Sequence, residues 1–135
     1  MKKQIFLLFL SFFCFNINAQ VTGFDDINDI EGNNHSLSSY LEDGKHVLLN
    51  FYIFDCYNCI QTAPKIESIY NNYGQNEDDL IVLSFLIDNE APYPTDEECE
   101  SWAQENGLPS PPNFNYTEAD WYQFYSVYGG SFSQT

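Results

Sequence analysis

Two uninterrupted apolar runs, HVLLNFYIF at residues 46–54 and LIVLSFLI at residues 80–87, are the strongest constraint on what this chain can fold into. Strand-length runs without polar alternation suit strands buried on both faces, as parallel sheets require. The stretch between them, CIQTAPKIESIYNNYG, brings Ile60, Ala63, Ile66, Ile69 or Tyr70, and Tyr73 back at helical spacing and closes at Gly74. Strand, helix and strand in that order predict a right-handed parallel crossover. The expected fold class is therefore α/β, a central and partly parallel sheet flanked by helices.

The flanking segments add smaller elements. Residues 21–34 are polar and turn-rich and read as a loose leader with at most a short edge strand. Ser36 precedes Leu37, Tyr40 and Leu41, an apolar set one helical turn apart, and Gly44 closes it. Thr95 followed by Glu98 is a capping box, opening a helix with Cys99, Trp102 and Ala103 on one face and a stop at Gly107. In LPSPPNFNY, residues 108–116, three prolines remove backbone donors and fix φ, so regular structure is not expected. A last helix is expected from Thr117, with Trp121, Phe124, Tyr125 and Tyr128 as its apolar stripe.

The first residues, MKKQIFLLFLSFFCFNINA, place Lys2 and Lys3 before an apolar stretch and Ala19 where a signal peptidase cuts. Residues 1–19 are thus expected to be a signal peptide, leaving one domain at 20–135 that is exported, periplasmic or extracellular. Cys14 lacks the small preceding residues of a lipid-attachment site, because Phe12 and Phe13 stand there. No run approaches the roughly 20 apolar residues of a membrane-spanning helix. After processing, Lys45 and Lys65 face 20 carboxylates with no arginine, a formal charge of −18. Such a surface repels phosphate backbones and anionic headgroups, so nucleic acid and membrane surfaces are poor partners.

Three cysteines survive processing: Cys56, Cys59 and Cys99. A Cys-x-x-Cys at the start of a helix puts its first sulfur beside unpaired N–H groups and the positive end of the helix dipole, which favours thiolate. Cys56 becomes the nucleophile, and Cys59, one turn deeper, can resolve a mixed disulfide. Two alternatives compete. Structural zinc needs about four ligands, and only Cys99, His35 and His46 are left to supply more. A structural disulfide across so short a loop restrains little of the unfolded chain. Cys99 shares an apolar face with Trp102 and reads as a core thiol.

The segment at residues 44–74, GKHVLLNFYIFDCYNCIQTAPKIESIYNNYG, resembles the active-site segment of thioredoxin-like redoxins, especially the exported TlpA-like and alkyl-hydroperoxide-reductase/TSA-type thiol-disulfide oxidoreductases. The resemblance covers about half of the processed chain. It implies Cys56 and Cys59 as a redox-active disulfide, with Tyr57 and Asn58 tuning the potential and Pro64 at the proline that kinks the active-site helix. Asn50 falls where thioredoxin itself keeps a buried acid, and where exported relatives often carry Asn. Partners would be protein or peptide thiols and disulfides and a thiol electron donor; no bound cofactor and no metal is implied. Asp55 departs from the usual Trp before the first cysteine. A peroxiredoxin site resembles Thr-x-x-Cys with an arginine, whereas here Ile53 stands three before Cys56 and arginine is absent.

Relative to that pattern the chain is expected to be truncated at its C-terminus. A thioredoxin-like domain continues past such a last helix into a strand opened by a cis-proline, a partner strand and a closing helix, and here GGSFSQT puts Ser133 in the proline's place. An open sheet edge would then favour dimerisation or mark a fragment of a longer secreted protein. The rival class is a non-enzymatic thioredoxin-like binding or adhesion module.

Overall fold

The computed structural model describes residues 24–87 and 93–115. It opens with a two-stranded antiparallel hairpin, β1 (Ile27–Asn28) and β2 (Asn34–His35), and its centre is a three-stranded parallel sheet of β3 (His46–Tyr52), β4 (Leu80–Leu86) and β5 (Asn113–Asn115), in that order across the sheet. The apolar runs become β3 (His46–Tyr52) and β4 (Leu80–Leu86), paired from His46 with Leu80 to Tyr52 with Leu86. The crossover between them is α2 (Tyr57–Asn72), ended near Gly74 at φ +90°, a conformation that only glycine adopts without strain.

Alternate residues of the two long strands feed two separate cores. Leu83, Phe85 and Ile87 of one face join Leu37, Phe24 and Phe114, with Tyr40 of α1 (Leu37–Glu42) packed against them. On the other face Tyr52, Val82 and Leu86 meet Ala63 and Ile66 of α2 and Cys99, Trp102 and Ala103 of α3 (Asp96–Glu105). The sheet is thus flanked by helices on both sides, and the crossover helix lies on the α3 side. Both caps read from the sequence form: Ser36 Oγ accepts from Ser39 N–H at 3.2 Å, and Thr95 and Glu98 make the reciprocal capping box of α3.

Three expectations change. Residues 108–116 do contain regular structure, because β5 (Asn113–Asn115) begins just after the last proline and pairs parallel with β4. The prolines remove donors only up to residue 112, and from Asn113 onward the ladder can form. Of β3 only Tyr52 is fully buried whereas β4 is buried from Ile81 onward; among the described residues β3 is paired by β4 alone, while β4 has a strand on each side. The stretch expected as a loose leader is tied down from Phe24 on, and Phe24 itself is core. The helix expected from Thr117, the open edge, residues 1–19 and residues 129–135 lie outside the described residues.

What fixes that leader is a buried carboxylate. Asp29 Oδ1 accepts from Asn33 N–H at 2.8 Å and Glu31 N–H at 3.0 Å, and Oδ2 stands 3.1 Å from His35 Nε2. His35 Nδ1 meets the Tyr40 hydroxyl at 2.7 Å, its ring lies edge-on to Phe114 at 5.1 Å, and Ile30 N–H donates to Asn113 O at 2.9 Å. The hairpin is thereby stitched to both α1 and β5. Burial raises the Asp29 pKa, but hydrogen bonds from Asn33 and His35 outweigh it and hold the carboxyl below its ordinary value. A lowered pKa stabilises the fold above the ordinary carboxylate range, and that stabilisation is lost as pH falls through the folded-state value. Asp29→Asn should therefore cost about 1–3 kcal/mol at about pH 7, and much less at about pH 3, in urea unfolding. An equal loss at both pH values would contradict the clamp.

Candidate functional site

At the C-terminal end of β3 the chain turns over residues 53–56, with Cys56 N–H donating to Ile53 O at a long 3.4 Å. Cys56 is the N-cap of α2, in extended backbone at φ −84° and ψ 102°, and its Sγ accepts from Cys59 N–H at 3.0 Å. A sulfur has replaced the oxygen that Ser, Thr, Asp or Asn brings to this position. Cys56 and Cys59 form a disulfide with Cα atoms 5.1 Å apart. A Cys56 thiolate held in the same position would accept from this N–H, and the first turn of a 16-residue helix adds the positive end of its dipole. Both cysteines are half-buried, whereas Asp55, Tyr57 and Asn58 are exposed, Tyr57 at 72%. A partner sulfur can reach the pair from that side.

Of the residues singled out in the sequence, Cys56, Tyr57, Asn58 and Cys59 come together at this helix start, and two are placed apart. Asn50 lies in β3 beneath the helices, its side-chain amide donating to Ser84 Oγ at 3.3 Å. Pro64 is in the middle of α2 and exposed; lacking an N–H, it cannot donate to the carbonyl of Ile60. Among the described residues, no group of three or more His, Cys, Asp or Glu side chains is placed to hold a metal ion, and no helix is long and apolar enough to cross a membrane.

The structure adds a polar line that the sequence did not reveal. Asn50, Ser84 and Asn113 occupy one row across the three strands, with Asn50 opposite Ser84 and Ser84 opposite Asn113. The Tyr52 hydroxyl donates to Asn113 Oδ1 at 3.2 Å and lies 3.2 Å from Cys99 Sγ. Trp102 stacks on Tyr52 with ring centroids 4.3 Å apart, and its indole N–H donates to Phe54 O at 3.1 Å. Cys99 and Trp102 were visible as one helix face; their partners 47 and 48 residues away were not. Burial pushes the Cys99 thiol up to about 11, the Tyr52 hydrogen bond opposing it, and burial likewise raises the Tyr52 phenol.

No protein-family model and no curated protein matches the sequence. Solved structures do resemble the chain. A thiol:disulfide interchange protein from Bacteroides sp. superposes at TM-score 0.62 with 19% identity, over 82% of this chain and 66% of that one. MTB DsbF, in mixed oxidised and reduced forms, gives TM-score 0.58 and 15% identity over 76% of this chain and 69% of that one. The thioredoxin domain of a thiol-disulfide oxidoreductase from Bacteroides vulgatus gives TM-score 0.55 and 19% identity over 81% and 74%. The chain spans about two thirds of the length of the first two. At these identities the likeness is one of fold: the protein has a thioredoxin-like α/β fold, as the resemblance of residues 44–74 implies.

The raised pKa of Cys99 has a consequence for alkaline stability. A thiol that keeps its proton longer when folded stabilises the protein fully below its ordinary value near 9, and that contribution is lost as pH rises toward about 11. Unfolding free energy should fall by up to about 3 kcal/mol across this window, and the fall should be smaller in Cys99→Ala. In peptide mapping after alkylation at neutral pH, Cys99 should stay unmodified until the protein is unfolded; labelling of the native protein would contradict its burial.

Proposed function

We propose that the chain is an exported thiol-disulfide oxidoreductase that exchanges disulfides with protein or peptide thiols through Cys56 and Cys59. The observation that carries this reading is the Cys59 N–H on Cys56 Sγ at the start of α2, in a pair open to solvent through Asp55, Tyr57 and Asn58. The thiolate of Cys56 attacks one sulfur of a partner disulfide; that S–S bond breaks, and the leaving sulfur takes up a proton as a thiol. Cys59, deprotonated, then attacks Cys56 Sγ, expels the second partner sulfur as a thiol and closes the Cys56–Cys59 disulfide. Two electrons have passed to the partner, and a separate thiol donor returns the pair to the dithiol.

In this reading Tyr57 and Asn58 shape the approach to Cys56, while Asn50, a neutral amide bonded to Ser84, supplies polarity beneath the helix without a titrating group. Pro64 gives α2 a fixed φ in mid-helix. The N-terminal pattern supports export, with residues 1–19 as a signal peptide and 20–135 as the exported domain, periplasmic or extracellular. The acidic surface argues against nucleic-acid partners. Thiol-disulfide oxidoreductases among the structures of the same fold support the reading as well.

Single substitutions separate the two sulfurs. Cys59→Ser should accumulate mixed disulfides on Cys56, seen as adducts that a reductant removes, and Cys56→Ser should trap none. Cys99→Ala should exchange as the parent does. Equal trapping by both single variants would contradict the assigned roles, and an unmodified chain that exchanges nothing would indicate a binding module instead.

A further inference from the structure

The turn at residues 53–56 carries the chain from β3 to Cys56, and its own closing hydrogen bond, Cys56 N–H to Ile53 O, is long at 3.4 Å. In any such turn the central peptide bond, here Phe54 to Asp55, takes no part in that closure. Its flip is what distinguishes type I from type II, and type II demands positive φ at the third residue. Asp55 is not among the described residues with positive φ. The carbonyl of this central peptide is the one that the Trp102 indole N–H holds, at 3.1 Å. Trp102 is itself fixed, buried at 8% exposure and stacked on Tyr52 at an interplanar angle of 18°. Tyr52 in turn is anchored through its hydroxyl to Asn113 and Cys99.

From this geometry we infer that Trp102 is a positioning residue for the cysteine pair: its indole N–H holds the Phe54 carbonyl, fixes the turn, and so delivers Cys56 Sγ onto the Cys59 N–H. The inference rests on the reading of Cys56 as the attacking thiol. Without the indole N–H the turn keeps only its long Cys56–Ile53 closure, so Cys56 leaves its N-cap geometry for part of the time and its thiolate loses the Cys59 donor for that part. The effect falls on the fraction of Cys56 present as thiolate and on its rate of reaction, with the ring stack on Tyr52 unchanged.

The test replaces Trp102 in a Cys59→Ser background, where Cys56 is the reactive thiol. Trp102→Phe removes the indole N–H but also part of the ring. Benzothienylalanine introduced at position 102 removes the N–H alone and keeps the shape that stacks on Tyr52. Circular dichroism and urea unfolding establish that each variant is folded, and iodoacetamide alkylation of Cys56 is followed against pH by mass spectrometry. In both variants the midpoint of the profile should move upward and the rate at about pH 6 should fall about threefold to tenfold. A profile unchanged in the folded benzothienylalanine variant overturns the inference, and so does a change confined to Trp102→Phe, since packing would then be the cause. Alkylation needs no partner disulfide, so a parent chain that failed to exchange would count against the proposed function while leaving this test readable.

Discussion

The in-register parallel pairing of β3 with β4 is the constraint from which the rest of the molecule follows. Because side chains alternate, this register sends Leu83 and Phe85 to the α1 side and Val82 and Leu86 to the side of α2 and α3. A slip of one residue would exchange the two sets and turn a polar residue such as Asn50 toward the side of Phe24 and Phe114. The same register aims the C-terminal end of β3 at the start of α2. The cysteine pair is therefore located by an apolar ladder to which it contributes little, and which is buried most deeply in β4.

The parts of this architecture that were legible in the sequence are those with a local cause. The two apolar runs as strands, the helix between them, Ser36 as a cap and the Thr95–Glu98 box are each decided within a few residues, and each forms, although the first run is less buried than its composition suggests. The cysteine pair at a helix N-terminus was legible for the same reason. What the sequence hid depends on neighbours distant along the chain. Asn113 sits behind three prolines and becomes a strand only because β4 offers an edge, and Asp29 becomes a buried clamp only because His35 and Tyr40 close over it. Tyr52 and Trp102 looked like two more core aromatics, and nothing local distinguished a stacked, hydrogen-bonded pair from ordinary packing.

Local and global electrostatics oppose each other at Cys56. The formal charge of −16 and the neighbouring Asp55 disfavour a further negative charge, and neither Tyr57 nor Asn58 compensates. The Cys59 N–H and the helix dipole act within a few ångströms, whereas charges across the surface are screened over about 10 Å at ordinary salt. The short-range donor therefore outweighs the distant surface charge, and it depends on distance and angle in a way that a field does not. A chain that relies on one N–H rather than on a neighbouring cation needs its approach turn held firmly.

That requirement gives α3 a part in the site from more than 40 residues away. Its capping box secures the helix start, and the turn that follows presents Cys99 and Trp102 to the sheet, where Tyr52 accepts the stack and the Phe54 carbonyl accepts the indole N–H. Each link joins a residue of α3 to β3 or to the turn just beyond it, so the helix and the strand that leads to Cys56 cannot shift separately without breaking a buried contact. Cys99 belongs to this support through its place against Tyr52, and its raised pKa follows from the same burial that keeps the stack dry. In this arrangement the third cysteine needs no redox chemistry of its own to matter to the other two.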